Sequence, residues 1–430
     1  MRFDAPVLLY GAGREGQSTR AYLNKVAPDL KVYVTADSGE ADIADTVFIS
    51  PEEVSQAIAD GVFGTIVKSP GVSRYRPVFL KAREAGVTVT SNLNLWAEDY
   101  REKCTVIAIT GTKGKSTTAT LVHLMLTQSG LDAGLAGNVG VAPLEIADKH
   151  KIVVFELSSY QTADMAFTPN IAGITNLSAE HVDWHRDVNR YYADKLNLID
   201  RDSDFPVGLG AEAARSSRVL EAVRNDARIL PPLDPDFAGR LKEAAAQSRL
   251  KGSHNLDNAV LAAQIARAAG ASDEGILKGI AAFAPLPHRL QEHRIGDLVI
   301  VDDSISTTPE ATKAALAAYA GQRIALIAGG HERQQDYAEL AGQLEPNGVA
   351  ILVCLPVTGD RLATAAFAAA PNIEVLEVAD LNVAMQALAT RRARFDTIIL
   401  SPGAPSYNQF RNFEERGDRF VSLANQLFSS

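Results

Sequence analysis

Cysteine is nearly missing from this chain: there are two, Cys104 and Cys354, in 430 residues. They stand far apart, each inside or beside an apolar run. That excludes a disulfide framework and a cysteine zinc site, and both read as small core residues in a reducing compartment. Long hydrophobic runs are lacking too. No stretch reaches the roughly 18 apolar residues that would span a bilayer. The opening MRFDAPVLLYGAGREG has neither the long apolar core nor the small-residue cleavage site of a secretory signal. The expectation is a cytoplasmic protein with no membrane insertion. Positive charge is in deficit, 42 Lys and Arg against 52 Asp and Glu for a net charge of −10, so broad nucleic-acid binding gains no support. A local cluster of donors can still hold an anionic substrate. No short repeat or low-complexity tract is found. What is present, 46% hydrophobic and 22% charged residues, suits a soluble globular protein long enough for several domains.

Short apolar runs that end in glycine-rich or polar turns alternate with helix-like stretches, which predicts α/β architecture with mostly parallel sheets. "PVLLY", "KVYVTAD", "TIVKSPGVS" and "VTVTSN" are the strands of a first segment, 1–101, expected to be a Rossmann-like domain. A second segment, 102–286, opens at "CTVIAITGTKGKS", continues through "KIVVFELSS" and "IAGITNLS", and reads as a P-loop ATPase-type domain. Its polar stretch near 200–250 reads as surface helices and loops. "AAFAPLPHRL", with two prolines, reads as a hinge. The third segment, 287–430, starts again with strands in "DLVIVDDS", "RIALIAGG", "AILVCLP", "IEVLEVA" and "DTIILSPG", a second Rossmann-like pattern.

The chemistry sits in loops. "AITGTKGKSTTATL" (108–121) runs from strand to helix through a glycine turn, but the usual Walker loop has a first Gly, four intervening residues and then Gly-Lys-Ser, and Ile109 stands at that first position. A phosphate is favoured at the helix start, Lys115 balances its charge, and the Ser116 hydroxyl can ligate Mg²⁺. "GAGREG" (11–16) fits G-x-G-x-x-G, with Asp37 roughly where an acidic ribose partner would lie; alone it names no cofactor. In "FELSSYQ", Glu156 ends a strand from which a carboxylate can reach a metal on ATP. "NLSAEHVDWH" clusters Glu180, His181, Asp183 and His185; it lacks zinc spacing, so a second Mg²⁺ site or a hydrogen-bonded relay is expected. Lys195, in the helix-like "YYADKLNL", reads by itself as a solvated charge.

Together these pieces resemble the Mur ligase family, the ATP-dependent amide ligases of peptidoglycan precursor synthesis. "GTKGKST", "ELSSYQ", "NLSAEHVDWH", "KLNL", "GSHNLDNA", "LPHRL" and "SPGAPSYNQFRNFEERG" occur in the family's order and cover nearly the full chain. The family's loop, G-T-x-G-K-[ST], explains why Gly111 leads the turn. The resemblance is nearest to the branch that adds glutamate to UDP-N-acetylmuramoyl-L-alanine through an acyl phosphate. It implies that Gly111, Thr112, Lys113, Gly114, Lys115, Ser116 and Thr117 cradle ATP. Asn255 and Asn258 would lie on the adenine side, with Arg289 and Asp303 closing from the third domain. Ser116, Glu156, His181 and a carbamylated Lys195 would hold two Mg²⁺ ions; the same oxygens also accept Mn²⁺. Lys115, Glu156, His181 and Lys195 thus form the implied catalytic set. Gly13, Arg14, Glu15, Ser69, Pro70, Gly71, Asn138 and Gln161 would bind the UDP acceptor, and Thr307, Arg333, Ser406 and Phe413 the glutamate.

The third domain departs from the family pattern. Where D-S-K-A-T-N is usual the chain has "DDSISTTPEAT", with Ile305 at the lysine position; where G-G-D-G-K-S is usual it has "GGHERQQ", with Arg333 at the lysine. A planar fork demands different carboxylate geometry from an ammonium. The pattern resembles a branch that attaches L-glutamate and leaves inversion to a separate epimerase. D-glutamate remains the alternative reading. Thr307 or Thr308 before Pro309 and Glu310 also reads as a helix cap. A folylpolyglutamate synthase-like ligase would share the central loop without the first domain, and a non-catalytic nucleotide-binding protein would lack Glu156, His181 and Lys195.

Overall fold

Apolar runs of four to seven residues become buried parallel strands, as the pattern predicts. The structure, a computed structural model, describes all residues except 1, 2, 4, 38–40, 42, 181, 251, 285, 286, 333, 334 and 430, and of 182 and 253 the backbone alone. It divides into two compact units, Met1–Ala284 and Pro285–Ser430. Three α/β domains are present, each built on its own sheet.

The first unit holds two sheets. Strands β1 (Val7–Tyr10), β2 (Val32–Thr35), β3 (Val47–Phe48), β4 (Thr65–Lys68) and β5 (Thr88–Thr90) form one, in the order 3-2-1-4-5 and parallel throughout. Strand order reverses between β1 and β4, so the loops leaving them, with Gly11–Gly16 on one and Ser69–Gly71 on the other, border the crevice where such sheets take ligands. Strands β6 (Thr105–Thr110), β7 (Ala133–Gly137), β8 (Ile152–Glu156), β9 (Ile171–Ile174) and β10 (Val207–Leu209) form the second sheet, order 10-9-6-8-7, again all parallel. Strand β6 lies at its centre, and the glycine loop leaves its carboxyl end.

One hydrophobic cluster runs through both sheets. Val7, Leu9 and Val67 of the first join Val106, Ala108 and Phe155 of the second by way of Trp96 on the helix Asn92–Tyr100. Trp96 is fully buried, meets Phe155 edge-on at 4.7 Å between ring centres, and its indole N–H donates to the Ala147 carbonyl at 3.2 Å. Shared apolar burial of this kind makes the two domains one unit.

The second unit has six strands, β11 (Gln291–Ile295), β12 (Leu298–Asp302), β13 (Ile324–Gly329), β14 (Val349–Leu355), β15 (Glu374–Glu377) and β16 (Thr397–Leu400), in the order 11-12-16-13-14-15. Among the described residues only β11 runs antiparallel, as a hairpin partner of β12. Both faces are covered, each by its own apolar cluster.

Candidate active site

The glycine loop links β6 to the helix Lys115–Gln128. Gly111 and Gly114 have φ of +145° and +80°. A methyl on Gly111 would lie 1.8 Å from Thr175 Oγ1, and one on Gly114 2.4 Å from Asn258 Oδ1. Both positions therefore need glycine for conformation and for space. The loop is braced by the exit of β9: Asn176 Oδ1 accepts from the Thr112 and Lys113 N–H groups at 3.2 and 2.9 Å, and Thr112 Oγ1 donates to the Ser178 carbonyl at 2.9 Å. Lys115 Nζ donates to the Thr112 carbonyl at 2.7 Å, over the loop, and Ser116 is buried in the first turn of the helix. Asn258 Nδ2 donates to Asn255 Oδ1 at 3.2 Å, which places the asparagine pair against Gly114.

Glu156 ends β8 and is fully buried. Its Oε1 accepts from Asn138 Nδ2 at 3.2 Å, whereas Oε2 is buried and has no hydrogen-bond partner among the described residues. An orphaned buried carboxylate oxygen is costly, and together with the Ser116 hydroxyl it makes a hard oxygen donor set. No group of three or more His, Cys, Asp or Glu side chains converges as a metal cage among the described residues. A divalent ion here would draw its remaining ligands from phosphates and water, so the residues fit Mg²⁺.

Lys195 overturns its reading as a solvated charge. The helix Val188–Leu196 turns Tyr191, Asp194 and Lys195 inward, and Lys195 is 2% exposed. Its Nζ donates to the Gly111 carbonyl at 2.7 Å. Burial, and then repulsion from Lys115, pushes its pKa well below the usual lysine range against the attraction of Glu180 and Glu156. In the acidic-histidine run, His181 lies outside the described residues and Asp183 is exposed. His185 is buried and bonded to Asp194 and Ser159, the relay alternative rather than a metal ligand.

The acceptor residues inferred from sequence also come together. Gly13 precedes the helix Arg14–Val26, and Arg14 donates to the Gly140 carbonyl at 3.2 Å. Glu15 Oε1 accepts from Gln161 Nε2 at 2.9 Å, across the two domains. Gln161 is itself fixed by a capping box with Ser158. Ser69 Oγ reaches the Gly11 carbonyl at 3.4 Å, and the Pro70 and Gly71 carbonyls both accept from Trp184 Nε1 at 3.1 Å. Asp37 is held by Arg76 (Nη2–Oδ2 2.6 Å) and by Tyr10 OH at 3.1 Å. The motifs gave no notice of Lys68, which is almost fully buried and ion-paired with Asp164. A lysine ending the buried strand β4 was the available signal.

In the second unit Asp303 leaves β12 and is buried. Its Oδ2 accepts from Ser401 Oγ at 2.7 Å and its Oδ1 from the Leu290 N–H at 3.2 Å, while burial outweighs these bonds and pushes its carboxyl up to about 6. Arg289 Nε is buried and has no hydrogen-bond partner among the described residues. Thr308, not Thr307, caps the helix Pro309–Ala318 through its hydroxyl. The Thr307 carbonyl accepts from Gln335 Nε2 at 3.3 Å. Ser406 is buried, and Phe413 opens the last helix with its ring edge-on to His288 at 6.0 Å. Arg333 lies outside the described residues; Ile305 is half-buried, its N–H donating to the His288 carbonyl at 3.1 Å.

Comparison with known proteins places the chain in a family. The Mur ligase middle-domain family matches residues 109–209, and the Mur ligase glutamate ligase domain matches 288–404. A UDP-N-acetylmuramoyl-L-alanine–L-glutamate ligase of Xanthomonas euvesicatoria is 35% identical over 97% of this chain and 94% of its own. The chain belongs to the Mur ligase family. A relative named UDP-N-acetylmuramoylalanine–D-glutamate ligase, from Geobacillus kaustophilus, is 34% identical over 86% of this Mur ligase and 85% of its own length. Among solved structures, the UDP-N-acetylmuramate–alanine ligase of Thermotoga maritima shares the fold with a TM-score of 0.62 at 17% identity, over 98% of this chain and 99% of that one. No helix among the described residues of this Mur ligase is long and apolar enough to cross a membrane.

Proposed function

We propose that this Mur ligase joins L-glutamate to UDP-N-acetylmuramoyl-L-alanine at the expense of ATP, in peptidoglycan precursor synthesis. The observation that carries the ligase reading is the meeting of a braced glycine loop, an orphaned Glu156 oxygen and a buried Lys195 at the carboxyl ends of one sheet. A carboxylate does not react with an amine, so ATP supplies the leaving group. The alanyl carboxylate attacks the γ-phosphorus, ADP leaves, and an acyl phosphate forms. The glutamate amine then attacks the acyl carbon, phosphate departs from the tetrahedral intermediate, and the amine gives up a proton to leave the amide.

In this reading the backbone N–H groups of Gly111–Thr117 and Lys115 hold the phosphates, chiefly by position and charge. Ser116, Glu156, His181 and Lys195 would hold two Mg²⁺ ions, whose chemistry when bound is neutralisation of phosphate charge. The depressed Lys195 amine suits carbamylation, which turns a cation into an anionic oxygen ligand. Asn255 and Asn258 face adenine, and Arg289 and Asp303 serve phosphate and ribose. Gly13, Arg14, Glu15, Ser69, Pro70, Gly71, Asn138 and Gln161 take the acceptor. Thr307, Arg333, Ser406 and Phe413 take glutamate. The L-enantiomer is favoured by Ile305 and Arg333 at the two lysine positions. A separate epimerase would then invert the product.

The test is phosphate release with ATP, Mg²⁺ and UDP-N-acetylmuramoyl-L-alanine, with D- and L-glutamate in separate reactions. Turnover with L-glutamate alone is expected. Turnover with D-glutamate alone overturns the enantiomer assignment, and silence with both overturns the substrate assignment.

A further inference from the structure

A chain of four side chains, three of them buried, lies beside this site, and none of the roles above uses it. The Tyr75 hydroxyl donates to Asp194 Oδ1 at 2.5 Å, Asp194 Oδ2 lies 2.6 Å from His185 Nδ1, and His185 Nε2 lies 2.9 Å from Ser159 Oγ. A neutral imidazole with its proton on Nδ1 gives every bond a donor and an acceptor: tyrosine and imidazole both donate to the carboxylate, and serine donates to the bare nitrogen. The serine–histidine–aspartate order matches that of a hydrolase nucleophile. Access argues against that role. His185 is fully buried and Ser159 is 3% exposed. A cavity of about 420 Å³ next to the chain is lined by Tyr75 and Asp194 but by neither Ser159 nor His185.

What the chain does follows from where its members are attached. Ser159 lies three residues beyond Glu156 on the exit of β8. Asp194 directly precedes Lys195 on its helix, and Tyr75 belongs to the loop that begins at Ser69. Trp184, next to His185, adds to the same joint. Its indole N–H donates to the Pro70 and Gly71 carbonyls, and its own carbonyl accepts from Ser73 Oγ at 2.7 Å.

We propose that His185 is a positioning residue for the phosphate-and-metal side of the site, joining the strand end that carries Glu156 to the helix that carries Lys195, with Tyr75 tying both to the acceptor loop. The proposal rests on the ligase reading. Partners hydrogen-bonded to a metal ligand fix its orientation, and their loss typically weakens metal binding about 10- to 100-fold; His185 acts one step further out, through the backbone that carries Glu156 and Lys195, so its effect belongs at the lower end of that range. A fully satisfied network with a buried centre suits that task because it has one geometry.

The experiment titrates Mn²⁺ by calorimetry into protein saturated with a non-hydrolysable ATP analogue, for the wild type, Ser159→Ala, His185→Asn and Tyr75→Phe. His185→Asn retains a donor toward Asp194 and loses the bond to Ser159. Mn²⁺ binding about tenfold weaker in Ser159→Ala and His185→Asn is expected, with kcat reduced and the acceptor KM nearly unchanged. Tyr75→Phe, which removes one partly exposed hydroxyl, guards against a folding defect and should raise the acceptor KM. Unaltered Mn²⁺ binding alongside a lower melting temperature would make the chain purely structural and overturn the proposal. A wild type that binds Mn²⁺ and the analogue but never turns over defeats the substrate reading instead, and the titration still decides the role of His185.

Discussion

Glu15 carries a carboxyl pushed from 4.5 up to about 7, chiefly by burial and against the Gln161 amide and the Lys68 charge. The sign follows. The folded chain prefers the protonated acid, so the contribution of this group is fully present below about 4.5 and is lost as pH rises toward 7. Glu15→Gln keeps an oxygen for Gln161 and carries no charge. It should therefore stabilise the first unit at pH 8, by on the order of 2 kcal/mol, and leave it unchanged at pH 4. Melting curves at the two pH values check this, and equal shifts at both would contradict it. At Lys115 the prediction concerns chemistry. Lys115→Ala should abolish ligation while acceptor binding stays measurable by calorimetry, and product from that variant would refute the phosphate-loop assignment. Residues of this kind were legible because their loops carry a spacing. Lys195 was legible only through the resemblance, since a lysine in an amphipathic helix gives no hint that its face turns inward. His185 and Asp194 meet across a turn, nine positions apart, and no local pattern marks such a pair.

At the scale of elements, the glycine loop shows how a backbone requirement becomes function. Gly114 has a positive φ, and an added methyl would strike the Asn258 amide at 2.4 Å. Gly114→Ala should cost about 1–2 kcal/mol from the left-handed conformation alone, and displacing Asn258 should weaken nucleotide binding further. Unfolding midpoints and analogue titration measure the two effects separately; unchanged nucleotide binding would mean that Asn258 is no part of that site. The strand that feeds this loop was readable from sequence because Thr105–Thr110 is rich in β-branched residues, and it is buried from Val106 onward. Strand β7, Ala-Gly-Leu-Ala-Gly, was not: glycine and alanine carry no strand preference, and only pairing with β8 makes it one. Strand β11 was hidden for another reason. Gln-Glu-His-Arg-Ile is polar, an edge strand paired only with β12, and its alternation with solvent resembles a loop. Strand β10 lay in the stretch read as surface helices and loops, where three residues on the sheet's other edge are too short to stand out.

At the scale of the molecule, the pattern of strands and glycine turns announced three α/β layers, but not how their cores are shared. That depends on Trp96, whose burial joins the first sheet to the second. Two cuts through the chain should consequently behave differently. The second unit, Pro285–Ser430, has an apolar cluster on each face of its sheet, and among the described residues the members of both clusters lie within it. Produced alone, it should fold cooperatively. A fragment ending near residue 101 would keep Trp96 but lose Phe155 and Val106, leaving an exposed apolar face on the first sheet. It should aggregate or melt without cooperativity. Trp96→Ala in the full chain probes the same joint, with an expected loss of about 3–5 kcal/mol confined to the first unit. Hydrogen exchange would localise the loss: faster exchange in both β1 and β6, with β13 unaffected, is the expected pattern. Faster exchange in β1 alone would mean that the two sheets are stabilised separately and that the shared cluster does not couple them.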